Sequence, residues 1–175
     1  MIKALIGLGN PGSQFYRTRH NIGFRVLDAL AEREGAVWKE RDNREESAIA
    51  LDGRTIKLIK PLTFMNDSGK VIPELTRAGI GCENILVIHD ELELPLGKVA
   101  FKAGGSARGH NGLRSIIAAC GSDFGRIRCG IGRPETGEDI ASYVLRAFDD
   151  NAKVDCMIQD ACDLVLERLA VGREQ

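Results

Sequence analysis

Six polar residues stand where apolar runs end or loops begin: Asn10, His20, Asn66, Asp90, His110 and Asn111. They include two of the three histidines in the chain. An unperturbed imidazole titrates near 6.5, and a carboxylate partner raises that value, which makes the neutral form a stronger base. If sheet order brings two strand ends together, Asp90 can hold one nitrogen of His20 and leave the other facing substrate. Three side-chain amides can orient carbonyls and water without adding charge. That inventory suits general-base hydrolysis. The competing reading is a set of unrelated loop polars, with Asn111 capping a helix.

Other chemistries find less support in the spacing. His20, His89, Asp90 and His110 are ligand types for zinc, but no H-x-x-x-H or H-E-x-x-H pattern occurs, so no metal is expected. A serine nucleophile lacks its G-x-S-x-G elbow. The five cysteines are odd in number and form no C-x-x-C pair. They read as reduced, mostly buried residues of a cytosolic protein. Gly7, Gly9 and Gly12 match the dinucleotide fingerprint G-x-G-x-x-G. That fingerprint needs a helix to open at the third glycine, and here Pro11 removes an N–H while polar residues follow. A dinucleotide site is the weaker rival, and no cofactor is expected.

The elements that must position these residues can be placed coarsely. Ala4-Leu5-Ile6 is a short buried strand running into the loop Gly7–Gly12. Phe15, Tyr16, Arg17, Arg19 and His20 follow before apolar spacing resumes at Ile22, and a helix stripe then runs to Glu34. Trp38 to Glu46 reads as an exposed edge or loop. Ser47–Leu51 and Thr55–Lys60 flank Asp52-Gly53 as a hairpin. Thr63–Gly69 is a loop leading into a helix over 70–78, where Pro73 is tolerable in the first turn and a kink later. Ile85–Ile88 is a central strand ending in His89-Asp90-Glu91. A strand over 99–103, a flexible loop over 104–109, a helix from His110-Asn111, a strand over 126–132 and a long amphipathic helix over 151–169 complete the chain. Gly172–Gln175 should fray. Alternating helices and strands predict a single α/β domain over residues 1–175, with a twisted, mixed, mostly parallel sheet and helices on both faces. Strand order is not legible.

Length and composition fit one packed domain, since 175 residues with 43% hydrophobic content can bury a core. No apolar run reaches the ~18 residues of a membrane span, and the short run at the N-terminus does not resemble a cleavable signal. The net charge of −1 conceals a polarity. From Gly97 to Pro134 seven basic residues stand against Asp123, and from Glu135 to Gln175 ten acids stand against four bases. Such segregation suggests a phosphate-bearing partner on one face, unless the charges mix on the folded surface.

GLGNPGSQFYRTRHNIG, TFMNDSG, HDELELP, FKAGGSARGHNGLRSI and RIRCGIGRP occur in this order through residues 2–148. Together they resemble the bacterial-type peptidyl-tRNA hydrolase family, and the C-terminal helix matches it in character. The resemblance implies a cytoplasmic, monomeric esterase that frees peptide from peptidyl-tRNA released by stalled ribosomes. By motif position His20 would be the general base and Asp90 would orient and polarise it. Asn10 would contact the peptide carbonyl region and help reject unblocked aminoacyl-tRNA. Asn66 and Asn111 would position peptide and water, with Phe64, Met65 and His110 lining the cleft and Phe15 stacking at the first loop. Lys102 and Arg128 fall where the family clamps the tRNA 5′-phosphate.

Two positions depart from the family pattern. Phe15 stands where tyrosine is usual, with Tyr16 next, so a phenol hydrogen bond is lost or moved. Cys129 replaces an aliphatic residue. Neither removes the base, its carboxylate or the amides. The alternative from another class is a non-catalytic RNA-binding relative using the same cleft.

Overall fold

The computed structural model describes residues 1–171, so the fraying expected of Gly172–Gln175 lies outside the described residues. In chain order the elements are β1 (Ala4–Gly7), α1 (Ile22–Arg33), β2 (Lys39–Arg41), β3 (Arg44–Leu51), β4 (Arg54–Pro61), α2 (Ile72–Arg77), β5 (Ile85–Glu91), β6 (Val99–Ala103), α3 (Asn111–Cys120), β7 (Gly125–Gly130), α4 (Ile140–Val144) and α5 (Asn151–Ala170). They form one seven-stranded sheet of order β2-β3-β4-β1-β5-β7-β6. The four central strands, β4, β1, β5 and β7, run parallel. The flanks, β2 and β3 on one side and β6 on the other, are antiparallel.

The apolar runs of β1 and β5 are continuous because both faces of the central sheet are covered. Leu5, Leu86 and Ile88 point into a core built with α1 and α5. Ala4, Ile6, Ile85 and Val87 point the other way, against α2, α3 and Met65. Each fully buried leucine or isoleucine here contributes about 1.5–3 kcal/mol relative to exposure.

Parallel strands on both sides of β1 make it the place where the chain winds outward in two directions. The crevice beyond the carboxyl ends of β1 and β5 is therefore the topological switch point, where open α/β sheets bind ligands. Asn10 lies three residues past β1, and Asp90 is the penultimate residue of β5.

The glycine pattern serves packing. A Cβ on Gly7 would meet the Gly23 carbonyl oxygen at 2.4 Å, and one on Gly23 would meet the Ile88 oxygen at 2.4 Å. Bare backbones let the first turn of α1 lie directly on β1 and β5. After Gly12 comes a single 3-10 turn, Ser13–Phe15, and α1 opens only at Ile22. No α-helix opens at the third glycine, which is the condition that the dinucleotide fingerprint requires, so that reading is overturned.

Local differences from expectation have physical causes. The hairpin is longer than expected, and Asp52 and Gly53 both have positive φ, the two-residue turn that matches strand twist. Met65–Val71 is a 3-10 helix rather than a loop. Pro73 then falls in the first turn of α2, where its missing N–H costs nothing and no kink arises. The short α4 was not expected; it is capped by Asp139, whose side chain accepts from Ser142 N.

Candidate active site

A cleft of about 440 Å³ opens at the switch point. At its floor one carboxylate holds two imidazoles. His20 Nδ1 lies 2.9 Å from Asp90 Oδ2, and His110 Nε2 lies 2.7 Å from Asp90 Oδ1. His20 comes from the 3-10 turn Arg19–Asn21 just before α1, Asp90 from β5, and His110 from the residue before α3.

Counting protons assigns different roles to the two histidines. The Nδ1 of His110 caps α3 by accepting from the backbone N–H groups of Gly112 and Leu113 at 3.1 and 3.3 Å. An accepting Nδ1 carries no proton, so the single proton of His110 sits on Nε2 and is donated to Asp90. Both nitrogens of His110 are engaged. His20 donates its Nδ1 proton to the other carboxylate oxygen. Its Nε2 then keeps a lone pair, makes no hydrogen bond among the described residues and borders the cleft. The helix cap is thus His110, not Asn111.

Electrostatics follow the same geometry. Burial alone would raise the Asp90 carboxyl, but the two imidazoles outweigh it and hold the group well below its ordinary value. Burial alone would lower His20; the charge and hydrogen bond of Asp90 outweigh it, and the net shift is upward. His89, one residue before Asp90, is different. Burial, reinforced by neighbouring His110, pushes it down to about 4. Its Nδ1 donates to the Asp90 carbonyl at 2.8 Å, which leaves it a neutral buried strut.

His20, Asp90 and His110 bring ligand-type atoms within 4.8 Å of one another, so the metal reading is met in distance. The proton count argues for hydrogen bonding instead. The Nε2 of His110 needs its proton and offers no lone pair, while His89 turns its Nδ1 to a backbone oxygen.

Asn10 is held on three sides. Its backbone N–H donates to Asn21 Oδ1 and its carbonyl accepts from Asn21 Nδ2, both at 2.9 Å. Its own Oδ1 accepts from Met65 N at 2.8 Å. The amide is therefore oriented with Nδ2 as the remaining donor at the cleft wall. Met65 in turn packs its sulfur towards Gly112, where any Cβ would lie 2.6 Å away. Asn66, Asn111 and Phe64 border the cleft as exposed residues, Phe64 at 61% exposure.

The basic segment converges on the same opening. Lys102, Arg108, Arg126, Arg128 and Arg133 all border the cleft. Their charges are not equivalent. Arg128 pairs through Nε with Glu91 at 2.8 Å, and Arg133 pairs with Glu93. Arg126 is buried and braces the loop by donating to the carbonyls of Gly105 and Ser106. Lys102 and Arg108 have no ion-pair partner among the described residues. The segregation seen in sequence thus becomes a positive cleft, though part of it is neutralised locally.

Of the residues singled out, Asn10, His20, Phe64, Met65, Asn66, Asp90, Lys102, His110, Asn111 and Arg128 all border the cleft. Phe15 does not. It sits half-buried in the Ser13–Phe15 turn, with its carbonyl accepting from Thr18. The phenol of Tyr16 donates to Asp28 at 2.8 Å, away from the cleft. Phe15→Tyr should therefore leave the hydrolytic rate unchanged within about twofold, a surface substitution away from special contacts; a rate assay on the variant checks this. Sequence reading missed Asn21, the clamp on Asn10, and the structural role of His89. Asn21 lies beside His20 in RHNIG, and only its complete burial reveals its task.

Fold and cleft define a class: a mixed-sheet α/β protein whose switch-point crevice holds a histidine–carboxylate pair among amides and bases. A family model described as peptidyl-tRNA hydrolase matches residues 4–175. The chain belongs to the peptidyl-tRNA hydrolase family. It is 45% identical to a peptidyl-tRNA hydrolase of Rubrobacter xylanophilus, over 93% of this chain and 92% of the relative. A peptidyl-tRNA hydrolase of Mycobacterium tuberculosis is also 45% identical, over 97% and 92%. The crystal structure of peptidyl-tRNA hydrolase from Acinetobacter baumannii has a TM-score of 0.87 at 35% identity, covering 97% of this chain and 87% of that one. A uridine phosphorylase from Vibrio fischeri, at 11% identity and TM-score 0.57, shares the fold alone.

Proposed function

We propose that this chain hydrolyses the ester between peptide and tRNA in peptidyl-tRNA, with His20 as general base. The observation that carries the mechanism is the Asp90 carboxylate bridging His20 and His110, which engages both nitrogens of His110 and leaves the Nε2 of His20 free, while the other unpartnered imidazole nitrogen, His89 Nε2, is fully buried. His20 takes a proton from water, and the water oxygen attacks the ester carbonyl. Asp90 stabilises the imidazolium that forms. The Nδ2 of Asn10 donates to a peptide carbonyl of the substrate, a contact that an aminoacyl-tRNA with a free amine does not offer. Asn66 and Asn111 orient peptide and water, and Phe64 and Met65 contact the peptide. Leaving-group protonation can come from imidazolium or water.

The tRNA is held electrostatically. Lys102 presents an uncompensated ammonium, and Arg128 spends its Nε on Glu91 while its two terminal amino groups remain for a phosphate. We place the protein in the cytoplasm, acting as a monomer of one domain over residues 1–175. Among the described residues no helix is long and apolar enough to cross a membrane.

The test is release of the blocked amino acid from N-acetyl-aminoacyl-tRNA by purified protein, beside unblocked aminoacyl-tRNA. Rapid cleavage of the blocked substrate and slow cleavage of the other is expected. Tight tRNA binding without cleavage would favour the non-catalytic RNA-binding alternative.

Lys102→Ala should raise KM for full-length substrate and leave kcat nearly intact. It should also reduce the slope of log affinity against log salt by roughly 0.7–0.9 if it meets one phosphate. A mimic carrying only the 3′-terminal nucleotide and peptide should not respond. Equal effects on both substrates in a salt series would remove the clamp assignment.

A further inference from the structure

The two cysteines Cys82 and Cys120 stand apart from this machinery. Cys82 opens the 3-10 turn Cys82–Asn84 that leads into β5, and Cys120 is the last residue of α3. Their sulfurs are 3.0 Å apart, inside ordinary van der Waals separation, and both side chains are half-buried at the margin of one apolar core. Both thiols point towards the Gly121 carbonyl, at 3.3 and 3.7 Å. A disulfide needs about 2.05 Å, so closure asks for roughly 1 Å of side-chain rotation. Cys129 and Cys162 are buried singly in the other core, and Cys156 is exposed on α5.

We propose that Cys82 and Cys120 are a site of reversible disulfide formation by peroxide, which locks α3 to the start of β5 and leaves hydrolysis unimpaired. The position explains both halves. β5 and α3 carry Asp90 and His110 at their opposite ends, and neither cysteine borders the cleft. A 10-residue helix is about 15 Å long, so a 1 Å adjustment at its last residue is absorbed before its first. The bond also closes a loop from 82 to 120, long enough to restrict the unfolded chain substantially.

The chemistry balances without a metal. The Cys82 thiolate attacks one peroxide oxygen, the O–O bond breaks, and hydroxide leaves to become water. Cys82 is then a sulfenic acid. The Cys120 sulfur attacks that of Cys82, the S–O bond breaks, and the Cys120 proton leaves with the hydroxyl as a second water. Two thiols and one peroxide give one disulfide and two waters. Burial, with Cys82 alongside, pushes the Cys120 thiol up to about 12, which fits it as the resolving partner rather than the first nucleophile. A thiol reductant reverses the bond by exchange.

The experiment treats the whole protein with a small excess of hydrogen peroxide, alkylates the remaining thiols and maps tryptic peptides by mass. A linked pair containing Cys82 and Cys120, lighter by two hydrogens, is expected. The melting temperature should rise by roughly 5–10 °C, and dithiothreitol should return it. Hydrolysis of N-acetyl-aminoacyl-tRNA should stay within about twofold. Cys120→Ser should leave Cys82 as a sulfenic acid that dimedone traps, with no rise in melting temperature. Cys82 and Cys120 both recovered alkylated, for instance while Cys156 dimerises the protein, would overturn the site. A linked protein that melts no higher, or loses activity tenfold, would overturn the lock. Mapping and melting do not depend on the hydrolase reading, so the two can fail separately.

Discussion

His20→Ala should lower kcat on a blocked aminoacyl-tRNA by about 10²- to 10³-fold, with KM within a fewfold of the parent. The lower figure corresponds to about 2.7 kcal/mol of transition-state stabilisation. The expectation rests on the proton count at Asp90. His20 Nε2 is unprotonated and free at the cleft, whereas the unpartnered Nε2 of His89 is buried away from water. His110 cannot substitute, because its Nδ1 is the cap of α3 and its Nε2 donates to Asp90. His89 is buried against His110, with its Nε2 out of reach of water. Stability should change little, since Asp90 keeps His110 and the alanine stands in a partly exposed turn. Single-turnover rates with a thermal melt separate chemistry from folding; a variant cleaving near the parental rate would move the base elsewhere.

Asp90→Asn should be at least as damaging, by roughly 10²- to 10⁴-fold. Considered alone, the change removes a charge and keeps the base, so a smaller loss than that of His20→Ala would be reasonable. The two-histidine bridge predicts more. His110 must donate from Nε2, because its Nδ1 accepts from Gly112 and Leu113. The new amide therefore has to turn its oxygen to His110 and its NH₂ to His20. Facing a donor, His20 must present a bare Nδ1, and its proton moves to Nε2, the position that should have accepted from water. This is the wrong-tautomer failure known from asparagine in place of a triad aspartate. Removing the carboxylate charge also leaves burial as the dominant influence on His20, so its titration should fall below 6.5. Rates across pH for Asp90→Asn check both consequences. A modest loss with an unshifted profile would mean the amide finds another orientation.

Much of this was legible in the chain. The runs Ala4-Leu5-Ile6 and Ile85–Ile88 declare buried central strands, because only doubly covered strands are apolar at every position. The ends of those runs point to Asn10 and Asp90. What the residues alone cannot yield is adjacency. Nothing in either run says that β1 and β5 pair, so the meeting of His20 with Asp90 rested on a conditional and on family resemblance. The shared carboxylate was out of reach for the same reason: it depends on α3 starting beside β5. Charge was half legible. Seven bases in one segment do gather at the cleft, but Glu91 and Glu93, outside the counted window, neutralise two of them. Glycines misled in the opposite direction. Gly7 and Gly9 fit a nucleotide fingerprint while serving the close approach of α1, a contact set by Gly23 fourteen residues beyond Gly9.

The central claim is that His20, neutral and steadied by Asp90, is the base. It is tested most directly by the pH dependence of kcat/KM, corrected for spontaneous ester hydrolysis. The sign is fixed by the raised titration of His20. Its imidazole is charged below that point and useless as a base, so activity should be lost as pH falls through a single limb lying above 6.5. The same group favours folding most at low pH, below its unfolded value, so this loss is not acid unfolding. Asp90, held low, keeps its contribution until the pH drops beneath the ordinary carboxylate range. The account predicts that acid limb above 6.5 in the native protein and its absence in His20→Ala. A rate that is flat from pH 5 to 8, or a limb near 4, would contradict it.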